Sequence, residues 1–178
     1  LFNPKMPVLR SELAFIIADG LNLKAANANK YSDVAADYWA KEQIDRALGA
    51  DVMIGYPDST FKPDQPITKA EVFATFAKMM DVSADKKAAP VFEGQAVKFV
   101  PAWANGAANE VIASGILNKL PDKDKVVNDE YLSKEQVAFM LGAMKAGFNI
   151  DTSNGVTNCA TKHETIQLKI KLSERISA

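Results

Sequence analysis

Three short segments each place a basic residue just inside the predicted start of a helix. These residues are Arg10, Lys69 and Lys134. Arginine offers a planar fork to a carboxylate or a phosphate, whereas lysine offers a compact positive charge. The dipole and the free N–H groups of a helix N-terminus favour an anion at the same place. The pattern predicts an anion-binding role, and an ordinary place on the surface is the alternative.

Other polar residues of the same segments fit structural roles better. Thr68 and Glu71 have the spacing of a capping box, in which the hydroxyl and the carboxylate bond N–H groups at the helix start. Asp33 and Asp58 lie among residues typical of turns, where an aspartate accepts local backbone hydrogen bonds. We therefore interpret these four residues as structural.

The sequence contains no constellation typical of catalysis or metal binding. His163 is the only histidine and Cys159 the only cysteine, and both lie in a polar C-terminal tail. His163 stands without a ligand cluster of metal-binding spacing. No nucleophile–histidine pair, paired-carboxylate motif or phosphate loop stands out. The chain is therefore predicted not to be an enzyme and to need no metal or cofactor.

Charge and hydropathy exclude two further classes of partner. The 21 basic and 22 acidic residues leave a net charge of −1, so a sequence-wide basic field for nucleic acid is absent. No run approaches the roughly 18 apolar residues needed to span a bilayer. We therefore expect neither nucleic-acid binding nor membrane insertion by this chain.

Hydrophobic periodicity predicts a mainly α-helical chain. A first helix is expected from Val8 to near Gly20, and Phe61 is expected to fill the core below a loop at 55–59. Further helices are expected from Asp37 to Leu48, from Thr68 to about Asp81, around 103–112, and from Ser133 to Gly147. A polar linker is expected at 83–90 and a turn at 121–124. Alternating apolar residues from Ile166 to Leu172 predict a short β-like segment in the tail.

Parts of the chain repeat one another. The segment beginning at Phe2 matches the segment beginning at Phe61 at a shift of 59 positions. Trp39 to Asp58 matches Trp103 to Asp122 at a shift of 64, and Ser133 falls on Thr68 at a shift of 65. Units of this size must share a core.

The repeats divide the chain into four parts. These are the back half of a first repeat (1–23), a complete second repeat (31–82), a degenerate third repeat (91–147) and a tail (148–178). Because the chain begins inside a repeat, we expect a processed or truncated product.

The second repeat resembles the S-layer homology module. The resemblance rests on Ser32-Asp33-Val34, Tyr38-Trp39-Ala40, Gly55-Tyr56-Pro57-Asp58, Phe61-Lys62-Pro63 and Ile67-Thr68-Lys69-Ala70-Glu71, in that order. It implies a pseudo-threefold bundle of helix-loop-helix modules. It also implies a non-catalytic module that anchors proteins in the bacterial envelope by holding a wall polysaccharide or peptidoglycan between modules. The ligand implied is anionic, such as a pyruvylated secondary polymer.

Several residues could contact such a ligand. Trp39 and Trp103 could stack on the apolar face of a sugar ring, although a core position is an equal alternative for Trp39. Gly55 would let the backbone approach closely, and Tyr56 could donate a hydrogen bond. The cations Arg10, Lys69 and Lys134 complete the predicted ligand-binding set.

The third repeat departs from the family pattern. It has Gly94 where the second repeat has Asp33, and Lys119-Leu120 replaces Gly55-Tyr56. We therefore expect the third repeat to be mainly structural, with binding concentrated around the first and second. The alternative is a structural or protein-interaction domain whose sugar site has decayed. Either reading predicts the cell surface or S-layer, or the periplasmic side of an outer membrane, with a following or associated envelope domain as a further partner.

Overall fold

The computed structural model describes residues 3–24, 31–80 and 88–145. The β-like segment predicted at 166–172, with the rest of the tail including Cys159 and His163, lies outside these residues. Within them the helices are α1 (Arg10–Gly20), α2 (Lys41–Gly49), α3 (Lys69–Met80), α4 (Asn105–Ala113), α5 (Lys123–Asn128) and α6 (Lys134–Lys145). The strands there are β1 (Val91–Phe92) and β2 (Gln95–Ala96), and 3-10 turns span Ala102–Ala104 and Ile116–Lys119.

The prediction of a mainly α-helical fold is confirmed. The helix expected to end near Gly20 does so, and α3 and α6 begin directly after Thr68 and Ser133, as predicted. β1 and β2 form one short antiparallel hairpin. Its turn residues Glu93 and Gly94 both have positive φ, 50° and 77°, as a tight hairpin requires. This hairpin was not predicted, because each of its strands is only two residues long.

The prediction that a helix begins after Asp37 is wrong. Residues before Lys41 form turns instead, in which the amide of Tyr38 bonds the carbonyl of Ala35 at 3.0 Å. The amide of Lys41 in turn bonds the carbonyl of Tyr38 at 3.0 Å. Trp39 therefore lies on the turn ahead of α2, not on the helix. Trp103 occupies the corresponding place, in the 3-10 turn ahead of α4.

The turn predicted at 121–124 continues into α5. Asp122 has a left-handed φ of 52° and Lys123 begins the helix. Burial of Val126 and Val127 fixes the helix against the body of the protein, because removing apolar side chains from water outweighs weak local preferences. Phe61 is completely buried, as predicted.

One hydrophobic core joins the helices. α2 packs against α1, α4 packs against α3, and α1 also contacts α6. The largest completely buried apolar side chains come from all three repeats and include Leu13, Ile17, Ile44, Phe61, Phe73, Phe76, Leu132 and Met140. The repeats therefore share a core, as their size requires.

The starts of α1, α3 and α6 are joined in a closed ring, which we call the helix-start ring. The residue before each helix forms a β-bridge with the loop that precedes another of these helices. The bridges are Leu9 with Pro66, Thr68 with Tyr131, and Ser133 with Pro7. The three loop positions correspond under the repeat shifts, so the same contact occurs three times and returns to its origin.

Candidate functional site

Arg10 is buried and bonded entirely inside the protein, with 3% of its surface exposed. Its Nε donates to the carbonyl of Phe61 at 2.6 Å and its Nη2 to the carbonyl of Ile54 at 2.7 Å. Its Nη1 lies 3.2 Å from Glu71 Oε1. The guanidinium carbon is 4.7 Å from the ring centres of both Tyr56 and Phe61. Arg10 thus fastens the 54–61 loop to α3.

Lys69 is completely buried. Its Nζ donates to the carbonyl of Val126 at 2.6 Å. Val126 corresponds to Phe61 in the repeat, so Lys69 makes the same contact as Arg10, one repeat later. Burial lowers the pKa of Lys69 to about 8, although the negative charge of Asp129 acts in the opposite direction. An ordinary surface place, the alternative for both cations, is wrong because each is needed to satisfy buried carbonyls.

The folded protein should therefore become more stable between pH 8 and 10.5, relative to a Lys69→Met variant. The unfolded lysine has a pKa of 10.5 and the folded one about 8, so in this window the unfolded chain binds more protons. Stability then rises with pH, by up to about 3 kcal/mol from the size of the shift. Urea unfolding at pH 7, 8.5 and 10 measures the difference. A flat difference between the wild-type protein and Lys69→Met across this range would contradict the argument.

Lys134 completes the set of cations and is also paired internally. Its ammonium bonds Glu12 Oε1. Glu12 and Glu71 correspond in the repeat, so this pair repeats the pair of Arg10 with Glu71. Arg10 makes both kinds of contact, Lys69 bonds a carbonyl and Lys134 bonds a glutamate. All three cations are thus bonded within the protein, and we leave them out of the proposed binding surface.

The ring also occupies N–H groups that a helix N-terminus could offer to an anion. The first helical amides of α1, α3 and α6 all donate to loop carbonyls of the next repeat around the ring. The distances are 2.9 Å from Arg10 to Gln65, 2.7 Å from Lys69 to Glu130, and 3.0 Å from Lys134 to Met6. The amide before each helix instead bonds a side chain of the third helical residue, Glu12, Glu71 or Gln136, at 2.9–3.0 Å. The physical basis for attracting an anion to these helix starts is therefore weakened.

Glu71 is the centre of the hydrogen-bond network at the start of α3. Its Oε2 accepts bonds from the amide and the hydroxyl of Thr68, at 3.0 and 2.9 Å. Its Oε1 accepts a bond of 2.6 Å from the hydroxyl of Tyr56. Burial and the bond to Glu71 raise the pKa of Tyr56 to about 12, so this phenol remains a donor at neutral pH. The positive charge of Arg10 compensates the carboxylate.

Turns of the second repeat are held by the two aspartates. The carboxylate of Asp33 accepts the amides of Phe61 and Lys62, at 2.8 and 2.7 Å. Lys62 has a positive φ of 56°, and the bond to Asp33 holds it there. Asp58 accepts the amide of Thr60 at 3.1 Å. Both carboxylates thus act locally on the loop that carries Phe61.

Gly55 faces another part of the protein at close range. A Cβ atom at this position would lie 2.2 Å from Cε1 of Tyr31 and 2.7 Å from the carbonyl oxygen of Thr60. The amide of Gly55 donates to the hydroxyl of Tyr31 at 2.9 Å. The close approach that glycine permits here is made by Tyr31.

The two tryptophans are the most exposed aromatic side chains in the described part of the chain. Trp39 is 58% exposed and Trp103 64% exposed. The core alternative for Trp39 is therefore wrong, because the residue precedes α2 and its ring projects from the surface. Trp39 lies 5.7 Å from the ring of Phe15 and 5.9 Å from that of Tyr38. We call these three residues the Trp39 cluster.

Trp103 borders an open groove of about 660 Å³, which we call the Trp103 groove. Side chains of the second and third repeats form its walls. Those used below are Tyr56, Glu71, Phe99, Trp103, Glu130 and Tyr131. The groove thus combines aromatic faces with hydrogen-bond acceptors.

Sequence reasoning missed Phe15, Phe99, Glu130 and Tyr131. Phe15 left a signal, since it falls outside the apolar face formed by Leu9, Leu13, Ile16 and Ile17. A large aromatic residue on the polar side of a helix indicates an exposed contact. The other three come together only through tertiary folding and carry no local signal.

The described residues contain no group of three metal-ligating side chains and no helix long and apolar enough to cross a membrane. What they do present is a ring-closed helical module with exposed aromatic residues in and beside grooves. This arrangement is suited to binding and defines a helical repeat module.

Residues 30–73 match the model of the S-layer homology domain. The chain therefore contains an S-layer homology domain, which covers most of its second repeat. It is 30% identical over 156 residues to Cell surface glycoprotein 1 of Acetivibrio thermocellus, covering 82% of this chain and 7% of that protein. It is 26% identical over 152 residues to the Cellulosome-anchoring protein of the same organism, covering 83% of this chain and 34% of that protein.

A shorter match joins the chain to an outer membrane protein. It is 41% identical over 54 residues to Outer membrane protein SlpA of Deinococcus radiodurans, covering 30% of this chain and 5% of that protein. The chain thus spans 34% or less of the length of these relatives. The matches place it in the bacterial cell envelope, as a non-catalytic anchoring module.

Proposed function

We propose that this chain anchors an envelope protein by holding wall polysaccharide or peptidoglycan in grooves between its repeats. The observation that carries this proposal is the pair of exposed tryptophans at corresponding positions of two repeats, 58% and 64% exposed. Covering an exposed indole with a ligand is favourable, because an aromatic side chain removes about 150–250 Å² of surface from water when it is buried.

The surroundings of each tryptophan support a carbohydrate ligand. At Trp39, the rings of Phe15 and Tyr38 enlarge the aromatic surface, each tilted by 41° to the indole. At Trp103, Phe99 and Tyr131 line the same groove. Aromatic faces suit the apolar faces of sugar rings, and nearby carboxylates accept bonds from hydroxyl groups. Both repeats contribute to the Trp103 groove, so the third repeat has a place in the proposed binding as well as a structural one.

The names of the relatives support the same proposal. One is a cellulosome-anchoring protein, one a cell surface glycoprotein and one an outer membrane protein. Each is much longer than the region matched here. We propose that the described chain supplies the attachment to the wall, and that an associated envelope domain carries the rest of the activity.

Isolated bacterial sacculi provide the test. The protein should pellet with sacculi. A Trp39→Ala/Trp103→Ala double variant should bind at least about tenfold more weakly, as expected for loss of central aromatic contacts. Both side chains are exposed, so the melting temperature should change little.

Phe139→Ala is the matched control. Phe139 is also an exposed aromatic residue, 38% exposed on α6, and it lies outside both the Trp39 cluster and the Trp103 groove. Its removal should leave pelleting unchanged. Equal pelleting of the double variant would refute the role of the tryptophans, and failure of the wild-type protein to pellet would favour a structural or protein-interaction domain.

A further inference from the structure

We infer that the Trp103 groove takes an uncharged, hydroxyl- or amide-bearing stretch of glycan and rejects sugars that carry negative charge. This inference rests on the proposed function and specifies the chemistry of one of its sites. It departs from the anionic ligand that the sequence predicts.

The charges on the groove wall are the first argument. None of the twelve residues that line the Trp103 groove is a lysine or an arginine, whereas two of them, Glu71 and Glu130, are acidic. The charge of Glu71 is balanced by Arg10, 3.2 Å away, but Arg10 stands behind it and is almost completely buried. Glu130 is exposed. An anion in this groove would meet negative charge without a cation among the lining residues.

One further lysine lies close to the groove without lining it. The ammonium of Lys62 is 4.2 Å from the ring centre of Tyr56. It is paired with Asp58 at 3.6 Å, so its charge is already compensated.

Backbone donors near the groove do not replace a cation. The groove runs past the N-terminus of α3, where the amide of Lys69 bonds the carbonyl of Glu130 at 2.7 Å. The amides of Thr68 and Glu71 are bonded within the capping box, at 3.0 and 3.3 Å. The Lys69 ammonium is held inside, on the carbonyl of Val126. The ring thus occupies these amides and buries this cation.

A neighbouring groove has cations, but they are paired. Lys5 and Lys125 line a cavity of about 420 Å³ beside α6, which shares Phe99, Glu130 and Tyr131 with the Trp103 groove. Lys5 lies 3.2 Å from Asp122 and 2.9 Å from Glu135. Lys125 lies 3.7 Å from Asp122. In such exposed pairs the charge of the carboxylate compensates that of the lysine. The two lysines therefore do not reverse the sign of the electrostatic field in the Trp103 groove.

What remains in the groove suits an uncharged sugar. Trp103 and Phe99 are 64% and 54% exposed and offer faces for pyranose rings. The lone pairs of Glu71 are already used by Thr68, Tyr56 and Arg10. The exposed carboxylate of Glu130 can accept bonds from a ligand, so the complementary ligand groups are donors. Hydroxyls and N-acetyl amides supply such donors without negative charge.

A fluorescence titration tests the inference. In a Trp39→Phe background Trp103 is the only tryptophan, so its emission reports this groove alone. Chitotetraose, an uncharged chain of N-acetylated amino sugars, should change the emission with saturation. A hyaluronan tetrasaccharide, in which alternate sugars carry carboxylates, should bind at least about tenfold more weakly than chitotetraose, since like charges across an interface repel.

Glu130→Lys provides the reciprocal variant. Glu130 is exposed, so the variant should fold normally, and the preference should shift towards hyaluronan. Equal or tighter binding of hyaluronan by the unaltered groove, or no response to chitotetraose, overturns the inference. Pelleting with sacculi is measured in parallel, because its persistence in those cases leaves the proposed function standing, whereas loss of pelleting removes both.

Discussion

Replacing Arg10 with alanine is expected to lower the free energy of unfolding by about 3–5 kcal/mol, the range for removing one partner of a buried ion pair. The variant would leave the carbonyls of Phe61 and Ile54 without the donors that lie 2.6 and 2.7 Å away. It would also leave Glu71 without its cation. Each unsatisfied buried group adds to the loss.

Urea unfolding at neutral pH measures this loss of stability. Two further variants provide comparisons for its size. Arg10→Lys keeps the charge but places all its donors on one nitrogen, so it cannot reach the three groups that Nε, Nη1 and Nη2 bond. Its stability should therefore fall between those of the alanine variant and the wild type. Lys41→Ala removes a partly exposed pair with Asp45, four residues further along α2, and a loss of about 0.3–0.5 kcal/mol is typical of helix pairs at this spacing. If Arg10 served a ligand alone, its alanine variant would lose binding to sacculi while unfolding at the wild-type urea concentration.

Replacing Gly55 with alanine should cost about 1–3 kcal/mol, the range for overpacking a well-packed site. The added methyl group would lie 2.2 Å from Cε1 of Tyr31 and 2.7 Å from the carbonyl of Thr60. Both distances are too short for non-bonded atoms, so the ring of Tyr31 or the loop must move. Movement of Tyr31 would also disturb its bond to the amide of Gly55.

A double-mutant cycle with Tyr31→Ala isolates the clash. Removing the ring makes space, so the two substitutions together should cost less than the sum of their separate effects, by about 0.5–3 kcal/mol. Gly142→Ala is the matched control, because a Cβ there meets nothing within 4 Å. Gly142 lies within α6, so alanine should stabilise the protein by about 0.5–1 kcal/mol. Strict additivity at Gly55 and Tyr31 would show that the ring is not what excludes a larger residue.

The parts of the fold encoded by nearby residues could be predicted from the sequence. The spacing of Thr68 and Glu71 indicates the start of α3, and Gly20 indicates the end of α1, because capping depends on residues three or four positions apart. The repeat shifts likewise indicated that the units share a core. The start of α2 was placed too early, since the turn bonds of residues 35–41 compete with the helix.

The bonding partners of the cations could not be predicted in the same way. Arg10 bonds residues 44, 51 and 61 positions away, and no local pattern specifies such contacts. A helix N-terminus with a basic residue attracts an anion only when its donors are free. Here the donors are used by another repeat, which becomes visible only when the chain has folded. The Trp103 groove is hidden for the same reason, because its walls come from two repeats.

The helix-start ring has a consequence for how many repeats such a protein can contain. An open array of repeats can gain or lose a unit at either end, since each unit touches only its neighbours. In this chain, the loop at Pro7 pairs with Ser133 and so returns the third helix start to the first. A fourth unit inserted into that circuit would have to open a pairing and change every angle between the helices. The number three is therefore set by geometric closure, and evolution can vary such a module by wearing down a repeat more easily than by adding one.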